Sequence, residues 1–140
     1  MKILLAVDGS PYSKKMLAYL STHETLLNNS NAYTVFTAQP ALPPRARAAV
    51  GKEVVDSYYA DESEKVLAPA TKFLLRHGID AKSVWKVGPA GPSIAKLATD
   101  GKFDLVVMGS HGHGAVANLV MGSVATQVLA HCKVPVLLVR

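Results

Sequence analysis

The chain has 140 residues, of which 49% are hydrophobic; this content excludes a disordered chain, and the length predicts one domain over residues 1–140. Its one cysteine cannot form an internal disulfide, and no apolar run approaches the ~18 residues of a membrane span, so we expect a soluble cytoplasmic protein without membrane contact. The net charge is +5, but the fifteen Lys and Arg residues are scattered without a basic patch, which argues against nucleic acid as the ligand.

The first third of the chain alternates short apolar runs with helical signals. KILLAV (residues 2–7) predicts a strand buried on both faces, and Ser10 followed by Pro11 predicts a capped helix. Residues 32–38 predict a second strand. The segment from Gln39 to Gly51 contains three prolines, so we expect an irregular surface loop there.

A long helical pattern occupies the middle of the chain. It runs from Val54 to Leu74 and ends before Gly78, which is suited to the left-handed residue after a helix. Pro69 lies inside the pattern and is expected to bend the helix or divide it. A third strand is predicted over residues 80–87.

Two further strands and two helices are predicted in the remainder. A helix is expected over residues 92–99, with Pro92 as its first residue, and a very apolar strand over residues 103–108. A last helix over residues 122–131 and a last strand over Val134 to Val139 follow.

This alternation of apolar strands with helices is typical of a parallel sheet covered on both faces. The predicted fold class is therefore α/β, a three-layer open sandwich of five parallel strands with helices on both faces, Rossmann-like in architecture. In such sheets a ligand binds beyond the carboxyl ends of the strands, where the strand order reverses.

The segment GSHGHGAVANLVMGS (residues 109–123) is unusually rich in glycine. Glycines after a strand let backbone amides approach an anion closely, and a helix that begins at residues 122–124 offers more amides to phosphate. A Walker motif needs GK[ST], which does not occur, and no GxGxxG motif forms a strand-to-helix turn. An alternative is that the glycines only make a long loop, with Gly122 as the N-cap of the last helix.

The spacing Gly109-x2-Gly112-x9-Gly122-Ser123 resembles the nucleotide-binding pattern G-x2-G-x9-G-[ST] of the universal stress protein family. The likeness extends over essentially the whole chain, from KILLAVDGSPYS through FDLVVMGSHGHG to GSVATQVLAHCKVPVLLVR. The resemblance implies a fold like that of the adenine nucleotide alpha hydrolases. Because every element of the pattern is present, the chain resembles the branch that binds ATP. If the protein were an ATPase or phosphorylated itself, Mg²⁺ would supply the positive charge that the segment lacks.

The same resemblance implies roles for residues at the adenosine end of the site. Ala6 and Val7 match backbone positions that line the base, and Ala38 matches a position that flanks the adenine. Asp8 matches an acidic residue that faces the adenosine. An alternative for Asp8 is that it caps the first helix, since a buried carboxylate needs a partner in either case.

The phosphate end of the site is implied in the same way. Met108 and Gly109 match positions beside the ribose and the phosphates. The positions that match those holding or lining the phosphate chain are Ser110, His111, Gly112, His113, Gly114, Gly122, Ser123 and Val124.

Three features of the sequence leave alternatives open. His111-x-His113 has the spacing of a metal pair but lacks a third ligand nearby, so a role beside phosphate is favoured. His113 and Ala117 stand where basic residues are frequent in the family, which would weaken phosphate binding. The loop Gly88-Pro89-Ala90-Gly91-Pro92-Ser93 departs from the Gly-x-Pro-Ala order of the family, so its contacts are in doubt.

Three functions fit these residues. We favour a nucleotide-responsive stress or signalling module over an enzyme, because no dedicated base and no arginine lie near the glycine-rich segment. The alternatives are a slow ATPase or autophosphorylating protein and a scaffold that binds partners without nucleotide. An apolar strand at Val134–Val139 invites pairing with a second copy, and the resemblance also implies a homodimer there.

Overall fold

A computed structural model describes residues 1–113 and 120–140 of the chain. The strands of these residues form one sheet in the order β3-β2-β1-β4-β5, and every neighbouring pair is parallel. The strands are β1 (Lys2–Ala6), β2 (Ala32–Gln39), β3 (Lys82–Val87), β4 (Leu105–Gly109) and β5 (Val136–Val139). The helices are α1 (Pro11–Ser21), α2 (Pro44–Val50), α3 (Lys52–Arg76), α4 (Ala90–Asp100) and α5 (Ser123–His131).

The sheet is covered on both faces, as the apolar strands predict. On one face, Ile3 and Leu5 of β1 belong to a buried cluster that includes residues of α1 and α3. On the other face, Leu4 and Ala6 belong to a cluster that includes residues of α4 and α5. The predicted three-layer α/β sandwich is confirmed, and a strand buried on both faces accounts for the continuous apolar run at the start of the chain.

The strand order reverses between β1 and β4, the two strands that meet at the centre of the sheet. Ala6 of β1 lies beside Met108 of β4, so the two carboxyl ends open at the same edge. The chain leaves β1 toward β2 on one side and later enters β4 on the other. A crevice is expected where the two connections part.

Two predicted helix boundaries are confirmed in detail. Ser10 is the N-cap of α1, where its hydroxyl accepts a hydrogen bond from the Ser13 N–H, and Pro11 is the first helical residue. At the other end of the long helix, Gly78 follows the C-cap and has φ = 77°. A residue with a Cβ rarely adopts that backbone conformation, which explains why this position is glycine.

The predicted irregular loop from Gln39 to Gly51 is wrong in its second half, which forms α2. Pro44 lies in the first turn of this helix, where a backbone N–H would have no hydrogen-bond partner within the helix. The following Arg-Ala-Arg-Ala-Ala run consists of good helix formers. The prolines therefore mark the beginning of a helix here.

Two further predictions about prolines are corrected. Helix α4 begins at Ala90, with Pro89 as its N-cap, so Pro92 lies inside the first turn and does not begin the helix. Helix α3 runs unbroken through Pro69, so the predicted alternative of a division is wrong. The apolar face of α3, with Leu67 and Ala70 buried on either side of the proline, holds the helix against the sheet.

None of the helices in the described ranges combines the length and the apolar character needed to cross a lipid bilayer.

Candidate functional site

The turn after β1 is built around the carboxylate of Asp8. Its Oδ1 accepts hydrogen bonds from the Ser10 N–H (2.9 Å) and the Ser13 hydroxyl (2.8 Å), and Ser13 Oγ in turn accepts from the Asp8 N–H (3.0 Å). The N-cap of α1 is Ser10, so Asp8 fixes the turn and does not itself cap the helix. Its other oxygen, Oδ2, faces Gly112 across the crevice.

The end of β4 lies close to α1 and to the returning chain. A Cβ at Gly109 would lie 2.7 Å from Cβ of Tyr12, so only glycine lets the strand end approach this helix. Ser110 is buried; its N–H donates to the Val139 carbonyl, and its own carbonyl accepts from the Gly122 N–H, both at 2.8 Å. These two bonds hold the end of β4 against both β5 and the beginning of α5.

Helix α5 begins at the crevice with no side chain capping its first turn. Gly122 is the N-cap, and no side-chain cap bond is made there. A Cβ at Gly122 would lie 3.0 Å from the His111 Cα and 3.1 Å from the Ser110 carbonyl oxygen. The amides of Ser123 and Val124 lie in the first turn, where the positive end of the helix dipole favours an anion.

These segments enclose a cleft of about 360 Å³ at the reversal point of the sheet. Most of the residues predicted for the nucleotide site line it, from both sides of the crevice. They are Ala6, Val7, Asp8, Ala38, Met108, Gly109, His111, Gly112, His113, Gly122, Ser123 and Val124.

Two predicted site residues are placed differently. Ser110 is buried behind the cleft wall, where its hydroxyl lies 2.8 Å from Nδ1 of His111. Gly114 lies outside the described residues.

Several cleft residues were missed by the sequence analysis. Phe36 and Thr37 directly precede Ala38 on β2, and a strand end was the available signal for them. Ala90 and Ile94 come from α4, and no pattern in the sequence predicts that this helix reaches the cleft. Within the described part of the chain, the missed lining residues are Ser13, Phe36, Thr37, Ala90, Ile94 and Ala125.

Two histidines lie at the glycine-rich end of the cleft. The His111 ring lies 4.8 Å from the Tyr12 ring, centroid to centroid, and contacts the Ser110 hydroxyl. His113 spans the crevice, because its Nε2 lies 2.7 Å from the backbone oxygen of Asp8. In residues 1–113 and 120–140, no group of three or more His, Cys, Asp or Glu side chains comes together as a metal site.

Permanent positive charge is scarce around the cleft. Of the described residues that line it, none is Lys or Arg, and Asp8 is the carboxylate among them. Lys15 lies further back, with its Nζ 4.9 Å from the centroid of the Tyr12 ring. By contrast, the pair Lys96–Asp100 (2.8 Å) is fully exposed on α4, where the hydrogen bond from Lys96 lowers the pKa of Asp100.

The loop that departs from the family order brings α4 close to α5. Gly88 has φ = 146°, and the helix begins two residues later at Ala90. A Cβ at Gly91 would lie 2.5 Å from the Gln127 Cβ, so glycine at this position allows the two helices to pack at close range. Through this contact α4 brings Ala90 and Ile94 to the cleft.

The family model described as the universal stress protein family matches residues 1–140. The chain belongs to this family. The resemblance carried by the glycine spacing is thereby confirmed as a family relationship.

Two universal stress proteins are similar over nearly the whole chain. Slr1230 of Synechocystis is 32% identical over 139 residues, which cover 99% of this chain but 42% of that protein, so the chain spans less than half of its length. A universal stress protein of Thermus aquaticus is also 32% identical over 139 residues, covering 99% of this chain and 97% of that protein.

Solved structures of universal stress proteins share the fold. MJ0577 of Methanocaldococcus jannaschii superposes with a TM-score of 0.81 at 25% identity, covering 99% of this chain and 94% of that one. A universal stress protein in complex with cAMP gives 0.71 at 24% identity, covering 100% and 97%. A family protein of Arabidopsis thaliana with AMP bound gives 0.70 at 16% identity, covering 99% and 90%.

Proposed function

We propose that this universal stress protein is a single-domain module (residues 1–140) that binds an adenine nucleotide, ATP included, and responds to it in stress signalling. The observation that carries the proposal is the cleft at the reversal point of the sheet. Backbone from the β4 loop meets the uncapped first turn of α5 there, at 2.8 Å between the Gly122 N–H and the Ser110 carbonyl. Amides on two sides of one crevice suit a chain of phosphate oxygens.

The other end of the cleft suits an adenine ring. Its walls include apolar or small side chains from three strands and from α4, among them Ala6, Phe36, Ala38, Ile94 and Met108. A flat aromatic base gains free energy by leaving water for such a surface. The bound cAMP and AMP in two structures of the same fold support adenine as the base.

Mg²⁺ fits this site as an ion that arrives with the phosphates. It prefers oxygen ligands and keeps several waters, and it is commonly held by one or two carboxylates together with substrate phosphates. Asp8 is the carboxylate of the described lining, and its Oδ1 is already occupied by Ser10 and Ser13. The described lining therefore offers Oδ2 of Asp8 as its carboxylate oxygen for the ion.

Binding without rapid turnover is the activity that we favour. Hydrolysis needs a group that orients water and a cation that stabilises the leaving phosphate. Residues 103–132 contain no Lys or Arg, and Oδ1 of Asp8 is committed to the turn after β1. At most weak hydrolysis is expected, so the nucleotide would act as a signal that changes which partner the module binds.

We further propose a cytoplasmic homodimer that pairs through the last strand. β5 lies at one edge of the sheet, and Val136, Leu137 and Leu138 are each only partly buried in the single chain. Apolar side chains and unpaired backbone groups at such an edge gain by pairing with a second copy. A reducing compartment suits the free thiol of Cys132.

The nucleotide itself can be identified from freshly purified protein. Denaturing the protein and measuring the mass of the released small molecules should yield an adenine nucleotide. Recovery of a different ligand class, such as a flavin or an oligonucleotide, would contradict the proposal.

Gly122→Ala tests whether backbone amides on the two sides of the cleft hold the phosphates. The added methyl group would push against the His111 backbone and the Ser110 carbonyl, so the β4 loop and the first turn of α5 must separate. We expect titration calorimetry with AMP and Mg-ATP to show at least a tenfold loss of affinity, about 1.4 kcal/mol.

Leu129→Ala is the matched control on the exposed face of the same helix. It should bind both nucleotides as the native protein does. Native affinity in Gly122→Ala would show that the phosphates lie elsewhere.

A further inference from the structure

The cleft has a shortage of positive charge for the ligand proposed above. Within the described lining, Asp8 contributes a negative charge and no Lys or Arg contributes a positive one. The sequence of residues 114–119 contains no charged side chain. The side chains of the cleft that can gain positive charge near neutral pH are therefore those of His111 and His113.

Both imidazoles are held at the phosphate end of the cleft. Ser110 Oγ lies within hydrogen-bond distance (2.8 Å) of Nδ1 of His111, and the Tyr12 ring packs against the same imidazole. His113 donates from Nε2 to the Asp8 carbonyl, which leaves Nδ1 as its site of proton gain. A proton gained on either ring adds a full charge next to the amides of the glycine-rich loop.

Among the described residues, other charged and titratable groups near these rings come from the β1–α1 turn and from α1. The β1–α1 turn presents the Asp8 carboxylate, and α1 presents Tyr12, with Lys15 against the Tyr12 ring. The Asp8 carboxylate repels phosphate and attracts an imidazolium.

We infer that the protonation of His111 and His113 sets how many phosphates the cleft holds. This inference rests on the proposed function and names the ligand class of the same site. Near pH 8 the cleft accepts a nucleoside monophosphate more readily than a triphosphate that is free of metal. As the pH falls toward 6.5, binding of the triphosphate strengthens.

The reason is a difference in charge between the two ligands. Each phosphate beyond the first adds roughly one negative charge, and backbone amides, being dipoles, offset only part of it. A monophosphate is satisfied by the amides and the end of the α5 dipole. A triphosphate needs either Mg²⁺ or the protons that the two imidazoles take up on binding.

Titration calorimetry in magnesium-free buffer tests this directly, with AMP and ATP at about pH 8 and about pH 6.5. Uptake of one proton per bound nucleotide tightens binding by about tenfold per pH unit. We expect the dissociation constant of ATP to fall about tenfold or more over this range, and that of AMP to fall less than about threefold. Two buffers of different ionisation enthalpy give the number of protons taken up.

Both the histidines and the nucleotide phosphates can take up protons in this pH range. The contribution of the nucleotide is the same for every variant, so three variants isolate the contribution of the histidines. His111→Gln combined with His113→Gln should remove the proton uptake and flatten the ATP profile while AMP still binds. His113→Lys should tighten ATP at about pH 8 and flatten the profile, because its charge is already present. His23→Gln, at the end of α1 with its ring bonded to the Tyr19 carbonyl, should behave as native.

The outcomes distinguish this inference from the proposed function. Binding of ATP more tightly than AMP at about pH 8 without magnesium would overturn the inference and leave nucleotide binding intact. The same holds for proton uptake that stays at the native level in the double glutamine variant, which would assign the proton to a group other than the two imidazoles. Failure of every nucleotide to bind at either pH would overturn the proposed function, and the inference with it.

Discussion

At the scale of single residues, Gly109, Gly112 and Gly122 allow close approach of neighbouring segments as well as exposure of backbone amides. A Cβ at Gly112 would lie 2.8 Å from Oδ2 of Asp8, and one at Gly122 would meet the backbone of His111. Neither residue has a positive φ, so space and not backbone conformation requires glycine. The missing side chains of these glycines therefore both allow a narrow crevice and expose the backbone amides.

Gly112→Ala should destabilise the protein through this contact. The methyl group must displace the Asp8 carboxylate from its bonds to Ser10 and Ser13, and overpacking of this kind costs about 1–3 kcal/mol. We expect the loss in the free energy of unfolding to be smaller in an Asp8→Ala background. Urea denaturation of the native protein, both single variants and the double variant measures this coupling.

Strict additivity of the two substitutions would contradict the close contact between Gly112 and Asp8. The matched variant Ser123→Ala alters the cleft without introducing a new atom, and we expect its unfolding free energy to remain near the native value.

The resemblance to the family was sufficient to predict most of the described loop residues that line the cleft. It was insufficient for Ser110, whose side chain points behind the wall toward His111 Nδ1. Its direction depends on the hydrogen bonds of the chain to β5 and α5, which join residues distant in sequence. A pattern of adjacent residues does not contain that information.

At the scale of elements, the close pair of α4 and α5 shapes the wall of the cleft. Gly91 of α4 faces the Gln127 Cβ of α5 so closely that any larger residue collides. Buried residues of both helices, including Ile94, Ala98 and Val128, belong to the same apolar cluster. Helix α5, whose first turn lies at the proposed phosphate end of the cleft, is therefore positioned by α4, which lines the proposed base end.

Gly91→Ala should consequently act on both stability and binding. The collision involves Cβ of Gln127, which moves only with its backbone, so we expect a loss of about 1–3 kcal/mol and weaker nucleotide binding. Gln127→Gly removes the opposing Cβ and should restore part of both in the double variant. A Gly91→Ala protein with native stability and affinity would show that the helices pack independently of the cleft.

The sequence predicted all five strands to within two residues at each end, because short apolar runs are distinctive in a parallel sheet. It failed at α2 and at the start of α4, where prolines lie in first turns. A proline is compatible with both a loop and a first turn. The identity of the residue alone could not separate these two outcomes.

At the scale of the whole molecule, the strand order accounts for the positions of both the proposed nucleotide cleft and the proposed dimer edge. The reversal between β1 and β4 creates the cleft at the centre of the sheet, and it leaves β5 at one edge and β3 at the other. Lys82 and Lys86 are exposed on β3, and charges of this kind discourage pairing at an edge. β5 consists of Val-Leu-Leu-Val and carries no such charge.

Val136→Lys should therefore convert the proposed dimer into a monomer, whereas Val87→Lys on the opposite edge should not. Sedimentation velocity at several protein concentrations measures the association, and far-UV circular dichroism checks that both variants fold. Association that is lost in Val87→Lys and kept in Val136→Lys would assign the interface to β3 instead.

The central claim is that backbone amides on both sides of the crevice hold the phosphates of an adenine nucleotide. It is tested most directly by titrating ¹⁵N-labelled protein with AMP and following the amide resonances. We predict that the largest shifts occur at Gly109, Gly112, Ser123 and Val124, and that they saturate together. Saturating shifts confined to another surface, such as the α2–α3 corner around Gly51, or no shifts with any adenine nucleotide, would contradict the claim.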